Sequence, residues 1–317
     1  MKILVTGGAG YTGSILIPKL LKMGHKVINF DTQWFGNFLK NHKSLKNIKL
    51  DVRDISNKYL KNIDSIIHLA SIANDPMAEM DKNLSWETSA LGTMQLMELA
   101  IKNNVKRIIY ASSGSVYGIK KEKKVTEKLS LKPISLYNKV KMVTEKVLLS
   151  YKGKMGIFII RPATVCGFSE KMRYDVTVNA LTHSALKKKI ITVNGGSQIR
   201  PNIHIEDLTN LYIFFLTKNK KFSGIYNAGF ENLSVLNIAK KIQKIIPSKI
   251  NIIIKNFDPR SYRLDSSKLL KIGFKPKFKI IDAIYEIKKR FDKKQLKDNP
   301  RFHSIAWLKR LSKLGKI

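Results

Sequence analysis

"TGGAGYTG", residues 6–13, decides the fold of this chain. It follows a short apolar run, "KILV", and leads into "SILIPKLLKM", whose apolar Ile15, Leu16, Leu20, Leu21 and Met23 recur at helical spacing until Gly24. Gly7, Gly10 and Gly13 thus mark a strand-to-helix turn with G-x-x-G-x-x-G spacing. Glycines at such a turn let the backbone reverse sharply, approach a pyrophosphate closely and pack the helix on the sheet. The helix start, at Tyr11 and Thr12, adds free amides and a partial positive charge. Asp31 ends the next apolar run, "KVINF", roughly 20 residues downstream, where a carboxylate accepts ribose hydroxyls and repels a 2′-phosphate. The dinucleotide expected is therefore NAD rather than NADP.

Outward from this turn the same alternation continues. "NIKLDV", "SIIHLA", "RIIYASS" and "GIFIIRPATV" read as further strands, and "SWETSALGTMQLMELAIKNN" as one long amphipathic helix. Continuously apolar strands separated by helices imply a parallel sheet covered on both faces. The expected class is α/β, a Rossmann-like doubly wound parallel sheet with a smaller mixed α/β region for substrate. We place the dinucleotide domain at 1–165, the substrate region at 166–292, partly interleaved with the first, and a basic tail at 293–317. In the second region "LTNLYIFFLTK" and "SVLNIAKKIQKII" read as helices and "INIII" as a strand. The tail contains "FHSIAWLKRLSKL", a helix that either docks on its own domain or subunit or lies on a membrane or partner.

Composition narrows the class of function. The 317 residues are 44% hydrophobic, enough for one large core or two moderate ones, and no run approaches the ~20 apolar residues of a membrane helix. A cytoplasmic protein is expected. A single cysteine, Cys166, excludes an internal disulfide, and the six histidines show no ligand spacing, so no metal is expected. The net charge of +36 raises the question of nucleic acid. The lysines, however, are spread from Lys2 to Lys316 and arginine is scarce beside them, which reads as a solvated surface, with polyanion affinity the alternative. No specific nucleic-acid partner is expected, and either way the field favours an anionic small substrate.

Two further stretches carry chemistry. "ASSGSVYG", residues 111–118, puts serines at the end of an apolar strand, and "YNKVK", residues 137–141, holds Tyr137 and Lys141 at i and i+4 on one helix face. A tyrosine titrates near pH 10. A neighbouring ammonium together with a nicotinamide's positive charge favours its phenolate, and a serine hydroxyl can share the substrate's proton. Such a set removes a proton from an alcohol as hydride leaves.

"TGGAGYTG", "HLAS" at 68–71, "SSGSVYG" at 112–118, "YNKVK", "RPATVCG" at 161–167 and "RPNIHIED" at 200–207 together resemble the extended short-chain dehydrogenase/reductases, specifically the NAD-dependent nucleotide-sugar epimerase/dehydratase group. The resemblance continues through "YNAG" at 226–229 and "DSSKLLKIGFKP" at 265–276. It implies Tyr137 as base, Lys141 as the residue that lowers its pKa and holds the nicotinamide ribose, and Ser113 as the hydrogen-bonding partner of the reacting hydroxyl. It implies Asp51 and Val52 against the adenine, Leu69, Ala70 and Ser71 beside the cofactor, and Pro162 and Thr164 at the nicotinamide. Ser115 would border the substrate, Asn179 and Arg200 would hold its nucleotide diphosphate, and Arg260 or Arg263 would complete that grip. A homodimer packed through helices at 80–104 and 133–152 is also implied.

Departures from the family pattern select the reaction. Dehydrating members place acidic residues where this chain has Gly114 and Ser115, and neither can act as a carboxylic acid. Members that epimerise beside a keto group often carry cysteine at Ser115; Cys166, in another motif, reads as a buried small residue. What remains is epimerisation at C4 through a transient keto sugar. The alternatives are an NAD(P)H-dependent keto-sugar reductase and a non-catalytic NAD- or RNA-binding module.

Overall fold

The computed structural model describes residues 1–254, 260–296 and 298–315. The first part of the chain folds as β1 (Lys2–Thr6), α1 (Gly13–Lys22), β2 (Lys26–Asp31), β3 (Leu45–Lys49), β4 (Ser65–His68), α2 (Asp75–Met80), α3 (Lys82–Trp86), α4 (Gly92–Lys102), β5 (Arg107–Ala111), α5 (Leu136–Ser150) and β6 (Gly156–Pro162). There follow β7 (Thr164–Cys166), α6 (Thr177–Lys188), β8 (Ile190–Asn194), β9 (Ile199–His204), α7 (Ile205–Thr217), β10 (Gly224–Ala228), β11 (Glu231–Ser234), α8 (Val235–Ile245), β12 (Lys249–Ile253), α9 (Ser267–Lys271), α10 (Ile280–Asp292) and α11 (Ser304–Lys313).

Seven strands form one sheet in the order β10-β6-β5-β4-β1-β2-β3, every pair parallel. Its central strands are buried on both faces, which is why they read as unbroken apolar runs: Ile3, Leu4 and Val5 in β1 and Ile66 and Ile67 in β4 have no exposure. The strand order turns back between β1 and β4, and the carboxyl ends of these strands border the crevice where such a sheet binds ligands. β10 comes from beyond residue 165 yet completes the edge of this sheet beside β6, so the chain crosses back into its first layer. The remaining strands make two small sheets, β11-β9-β7 and β12-β8, packed with α6, α8 and α10 around a second apolar cluster that includes Val178, Ile238 and Ile284. Cys166 lies in that cluster, fully buried.

One local departure from the sequence reading has a physical cause. The single helix expected over residues 85–104 is interrupted by a π turn at Glu87–Leu91 between α3 and α4. There the Thr93 hydroxyl donates to the Ser89 carbonyl, and buried Thr88 is carried to the wall of the cleft described below. The basic tail docks on its own chain, one of the two placements expected for it: Leu308 of α11 packs with Ile72, Met77, Ala78 and Leu84, and Trp307 Nε1 donates to the Trp34 carbonyl at 2.7 Å. Among the described residues no helix is long and apolar enough to cross a membrane.

His68 at the end of β4 ties the first layer together. Its Nδ1 pairs with Thr6 Oγ1 of β1 at 2.6 Å and its Nε2 with Thr93 Oγ1 of α4 at 2.8 Å. Burial, with a contribution from Lys141, lowers its pKa from 6.5 to about 3. The unfolded chain therefore binds a proton between those values that the folded chain does not, and the contribution is lost as pH falls from 6.5 toward 3. His68→Gln should remove about 1.4 kcal/mol per pH unit from the slope of stability against pH in that window. Urea denaturation at several pH values measures this; parallel slopes for the two proteins would contradict it.

Candidate active site

A cleft opens at the carboxyl ends of β1, β2, β4 and β5, floored by the glycine turn. Gly7 has φ +73°, and a Cβ there would meet the Ala70 amide nitrogen at 2.6 Å, so the turn and the β4 end approach as only glycine permits. Gly13 is absent from the cleft wall; a Cβ on it would collide with the backbone of Gly8, so it serves the packing of α1 onto the turn. Among the described residues the amides of Tyr11 and Thr12 donate to no backbone carbonyl, leaving a helix start with free donors facing the cleft. Asp31 borders the same cleft; its Oδ1 accepts from the Gln33 amide at 2.7 Å and its Oδ2 from the Ala9 amide at 2.9 Å. Each oxygen keeps a lone pair for a further donor. A glycine cradle, free amides and a fixed carboxylate fit the pyrophosphate and ribose of a dinucleotide.

Gly10, Asp51, Val52, Leu69, Ala70, Ser71 and Pro162 also reach the cleft. Thr164 does not: the alternation of β7 presents Val165 instead, while Thr164 pairs with Asn202 of β9. Asp51 is engaged beside it, accepting from Arg53 at 3.1 and 3.0 Å, and Arg53 also reaches Glu87 at 2.7 Å.

Tyr137 and Lys141 both line the cleft from α5, which starts where the Ser135 hydroxyl accepts from the Asn138 amide at 3.3 Å. Lys141 Nζ donates to the Ala111 carbonyl at 2.7 Å and lies 5.8 Å from the centre of the Tyr137 ring. Ser113 stands beside Tyr137, and its hydroxyl favours the ionised phenol. The electrostatics differ from the expectation that Lys141 lowers the Tyr137 pKa, since Lys141 is not among the groups that shift it. Burial, reinforced by Asp75, raises the Tyr137 pKa; Arg173, Ser113 and Arg260 are what lower it. Lys141 is itself desolvated, its pKa brought down to about 7. An ammonium this deeply buried is driven toward its neutral form, so it cannot act as a fixed full charge.

Ser115 turns its hydroxyl to Asn138 Oδ1 and pairs with Ser113 Oγ at 2.7 Å; neither serine is on the cleft wall, and Ser113 adjoins the site through Tyr137. Asn179 is fully buried, and its amide is consumed within the fold: Oδ1 accepts from the Gly167 amide at 3.0 Å, and Nδ2 donates to Tyr11 OH at 3.0 Å and to the Arg173 carbonyl at 3.2 Å. That corrects its expected place at a diphosphate. Arg200 lies on β9 opposite Leu233, away from the cleft wall. Arg263 is exposed between buried Tyr262 and Leu264 and also misses the site. Arg260 is not on the cleft wall either, but it lies close enough to Tyr137 to favour its phenolate, and it forks onto Asp75 at 3.2 and 3.1 Å.

Two groups were not legible as functional in the sequence. Arg173, on the cleft wall, pairs with Asp175, which also accepts from Asn74 Nδ2 at 2.7 Å. Glu145 stands one further turn along the Tyr137–Lys141 face of α5 and is 2% exposed, as deep as its partner Arg161 at 3%. It accepts from Arg161 at 2.9 and 2.5 Å and from the Ser112 hydroxyl; Arg161 continues to Tyr117 OH at 2.7 Å, and Tyr117 to Asn227 Oδ1 at 2.9 Å. The i, i+4, i+8 spacing was its sequence signal. Among the described residues no group of three His, Cys, Asp or Glu side chains could hold a metal ion.

Removing one partner of such a pair leaves a buried, unpaired charge. Glu145→Ala should cost about 3–5 kcal/mol of stability, whereas Lys146→Ala, at an exposed position next to it, should change stability by less than about 0.5 kcal/mol. Chemical denaturation distinguishes the two; equal, small effects would contradict the role given to the pair.

Comparison with known proteins agrees with this geometry. The model of the NAD dependent epimerase/dehydratase family matches residues 3–229. A UDP-glucose 4-epimerase of Lactobacillus helveticus is 29% identical over 313 residues, covering 90% of this chain and 94% of that protein. An uncharacterized UDP-glucose epimerase of Bacillus subtilis is 31% identical over 269 residues, covering 80% of this chain and 84% of that one. Among solved structures, a UDP-glucuronic acid 4-epimerase from Bacillus cereus in complex with UDP-glucuronic acid and NAD is 26% identical, with a TM-score of 0.82, covering 92% of this chain and 99% of the other. The family match runs from the first strand and the glycine turn after it through the sheet-completing β10, and the chain belongs to the NAD dependent epimerase/dehydratase family.

Proposed function

We propose that the chain is an NAD-dependent nucleotide-sugar epimerase acting at C4 of the sugar. The observation that carries this reading is the convergence of Ser113, Tyr137 and Lys141 at the open end of β5, beside a glycine cradle fitted to a dinucleotide. The names of its relatives, a UDP-glucose 4-epimerase and a UDP-glucose epimerase, support it. NAD, when bound, supplies a positive charge and an acceptor that takes hydride from the sugar and can return it.

The chain's own residues supply the rest. Asp31 takes the adenosine ribose, the Tyr11 and Thr12 amides take the pyrophosphate, Asp51 and Val52 flank the adenine, and Leu69, Ala70, Ser71 and Pro162, with Val165 in place of Thr164, enclose the remainder. Tyr137 accepts the proton of the C4 hydroxyl, and Ser113 hydrogen-bonds the same oxygen. Lys141, fixed on the Ala111 carbonyl, holds the nicotinamide ribose. Arg173 and Arg260, held by Asp175 and Asp75, add positive charge for the anionic groups of the substrate. Gly114 and Ser115 offer no carboxyl group, so an elimination of water has neither acid nor base there.

The same proposal includes a homodimer through the α4–α5 face, supported by exposed Leu91 and Met94 on the 87–102 segment. It also includes a cytoplasmic location, in keeping with one buried thiol and no second cysteine.

The test is nuclear magnetic resonance of UDP-, GDP-, CDP- and dTDP-sugars incubated with the protein and catalytic NAD. Interconversion of C4 epimers is expected, and Tyr137→Phe should lower turnover by about 10²-fold or more with an unchanged melting temperature. Normal turnover by Tyr137→Phe would refute the assignment of the base, and stoichiometric consumption of reduced cofactor would replace the epimerase with a reductase.

A further inference from the structure

Lys171 is an anomaly in the cleft wall. Its side chain is 3% exposed, yet among the described residues it forms no ion pair, and its one hydrogen bond is to Ser304 Oγ at 3.2 Å. The ammonium also sits over the Phe35 ring, 4.5 Å from its centre. Burying a charge without a counter-ion is costly, so such a group marks a place where an anion belongs. Burial and the neighbouring Arg173 push its pKa down to about 7, against the weaker pull of Asp175 and Asp31. Asp175 is already committed to Arg173, and Asp31 to two backbone amides.

The segment that carries Lys171 is tied to the glycine turn. Tyr11 OH donates to the Gly167 carbonyl at 2.7 Å, and Ser169 Oγ donates to the Tyr11 carbonyl at 2.8 Å. Tyr11 is the residue whose free amide opens the helix start, so Lys171 is anchored beside the amides that suit a pyrophosphate. On its other side stands the C-terminal helix. Ser304 is the first residue of α11, and three residues on Trp307 clasps the Trp34 carbonyl, next to Phe35. The tail and the loop after β2 therefore share one wall of the cleft, with Lys171 between them.

We propose that Lys171 is a cofactor-binding residue whose ammonium pairs with the dinucleotide's phosphates, and that α11 positions it through Ser304. A 2′-phosphate is the poorer occupant, because the Asp31 carboxylate guards the ribose and would repel it. The proposal rests on reading this cleft as the NAD site. It makes the C-terminal helix, remote in sequence from the glycine turn, part of the cofactor's enclosure.

The experiment is isothermal titration calorimetry of the cofactor-stripped full chain with NAD, ADP, adenosine and NADP, for the wild type, Lys171→Met and Ser304→Ala, alongside melting temperatures without ligand. Lys171→Met is expected to weaken NAD and ADP by a similar factor of about 10 to 100, to leave adenosine unchanged, and to melt no lower than the wild type. Ser304→Ala should show the same pattern to a smaller degree. Unchanged NAD and ADP affinity in Lys171→Met would overturn the proposal while leaving the cofactor reading intact. An equal loss for adenosine, or a lower melting temperature, would make Lys171 merely structural, and a loss confined to NADP would move it to a 2′-phosphate. Failure of the wild type to bind NAD or ADP would overturn both readings.

Discussion

The buried carboxylate of Glu145 is the constraint on which the site depends. It draws Arg161 of β6 and Ser112, just past β5, onto one face of α5, and so sets the height and rotation of that helix against the strand ends. Tyr137 and Lys141 stand on the same face, two turns and one turn earlier respectively. The distance from Lys141 to the Ala111 carbonyl, and hence the placement of Tyr137 beside Ser113, follows from where Glu145 is held. Arg161 extends the tie through Tyr117 to Asn227 of β10, so the strand that returns from the second half of the chain is anchored by the same network. A fully satisfied buried network of this kind specifies one arrangement because each partial arrangement strands a charge.

The price of that placement is electrostatic. Burial raises the Tyr137 phenol above its ordinary range and lowers Lys141 to about 7, both away from the phenolate–ammonium pair that the chemistry suggests. The protein alone thus favours the neutral phenol at Tyr137 and loss of the proton at Lys141. Charge brought in with cofactor and substrate adds to that of Arg173 on the cleft wall and of Arg260 nearby, both of which favour the phenolate.

What the sequence revealed and what it concealed divide along physical lines. The glycine turn, the apolar central strands and the Tyr137–Lys141 spacing are local patterns, and local patterns survive in a single sequence. The expectations for Asn179 and Thr164 failed on burial and strand parity, which depend on what packs opposite: Asn179 spends its amide on Gly167 and Tyr11, and β7 turns Val165 to the cleft. Arg260 and Arg263 were equivalent as letters, and only the exposure pattern of the segment separates them. The docking of α11 against residues far earlier in the chain, and with it the setting of Lys171, left no local trace beyond an amphipathic stretch. The π turn at 87–91 escaped for a related reason, since helical periodicity continues through it while the backbone widens.

The central claim is that one sugar hydrogen leaves C4 and returns to C4 without meeting solvent. Turnover of a nucleotide sugar deuterated at C4, in ordinary water and with substoichiometric NAD, tests it directly by mass spectrometry and nuclear magnetic resonance of the product. The account predicts the inverted epimer with its deuterium retained at C4. Epimer formed with the label washed into water would contradict it.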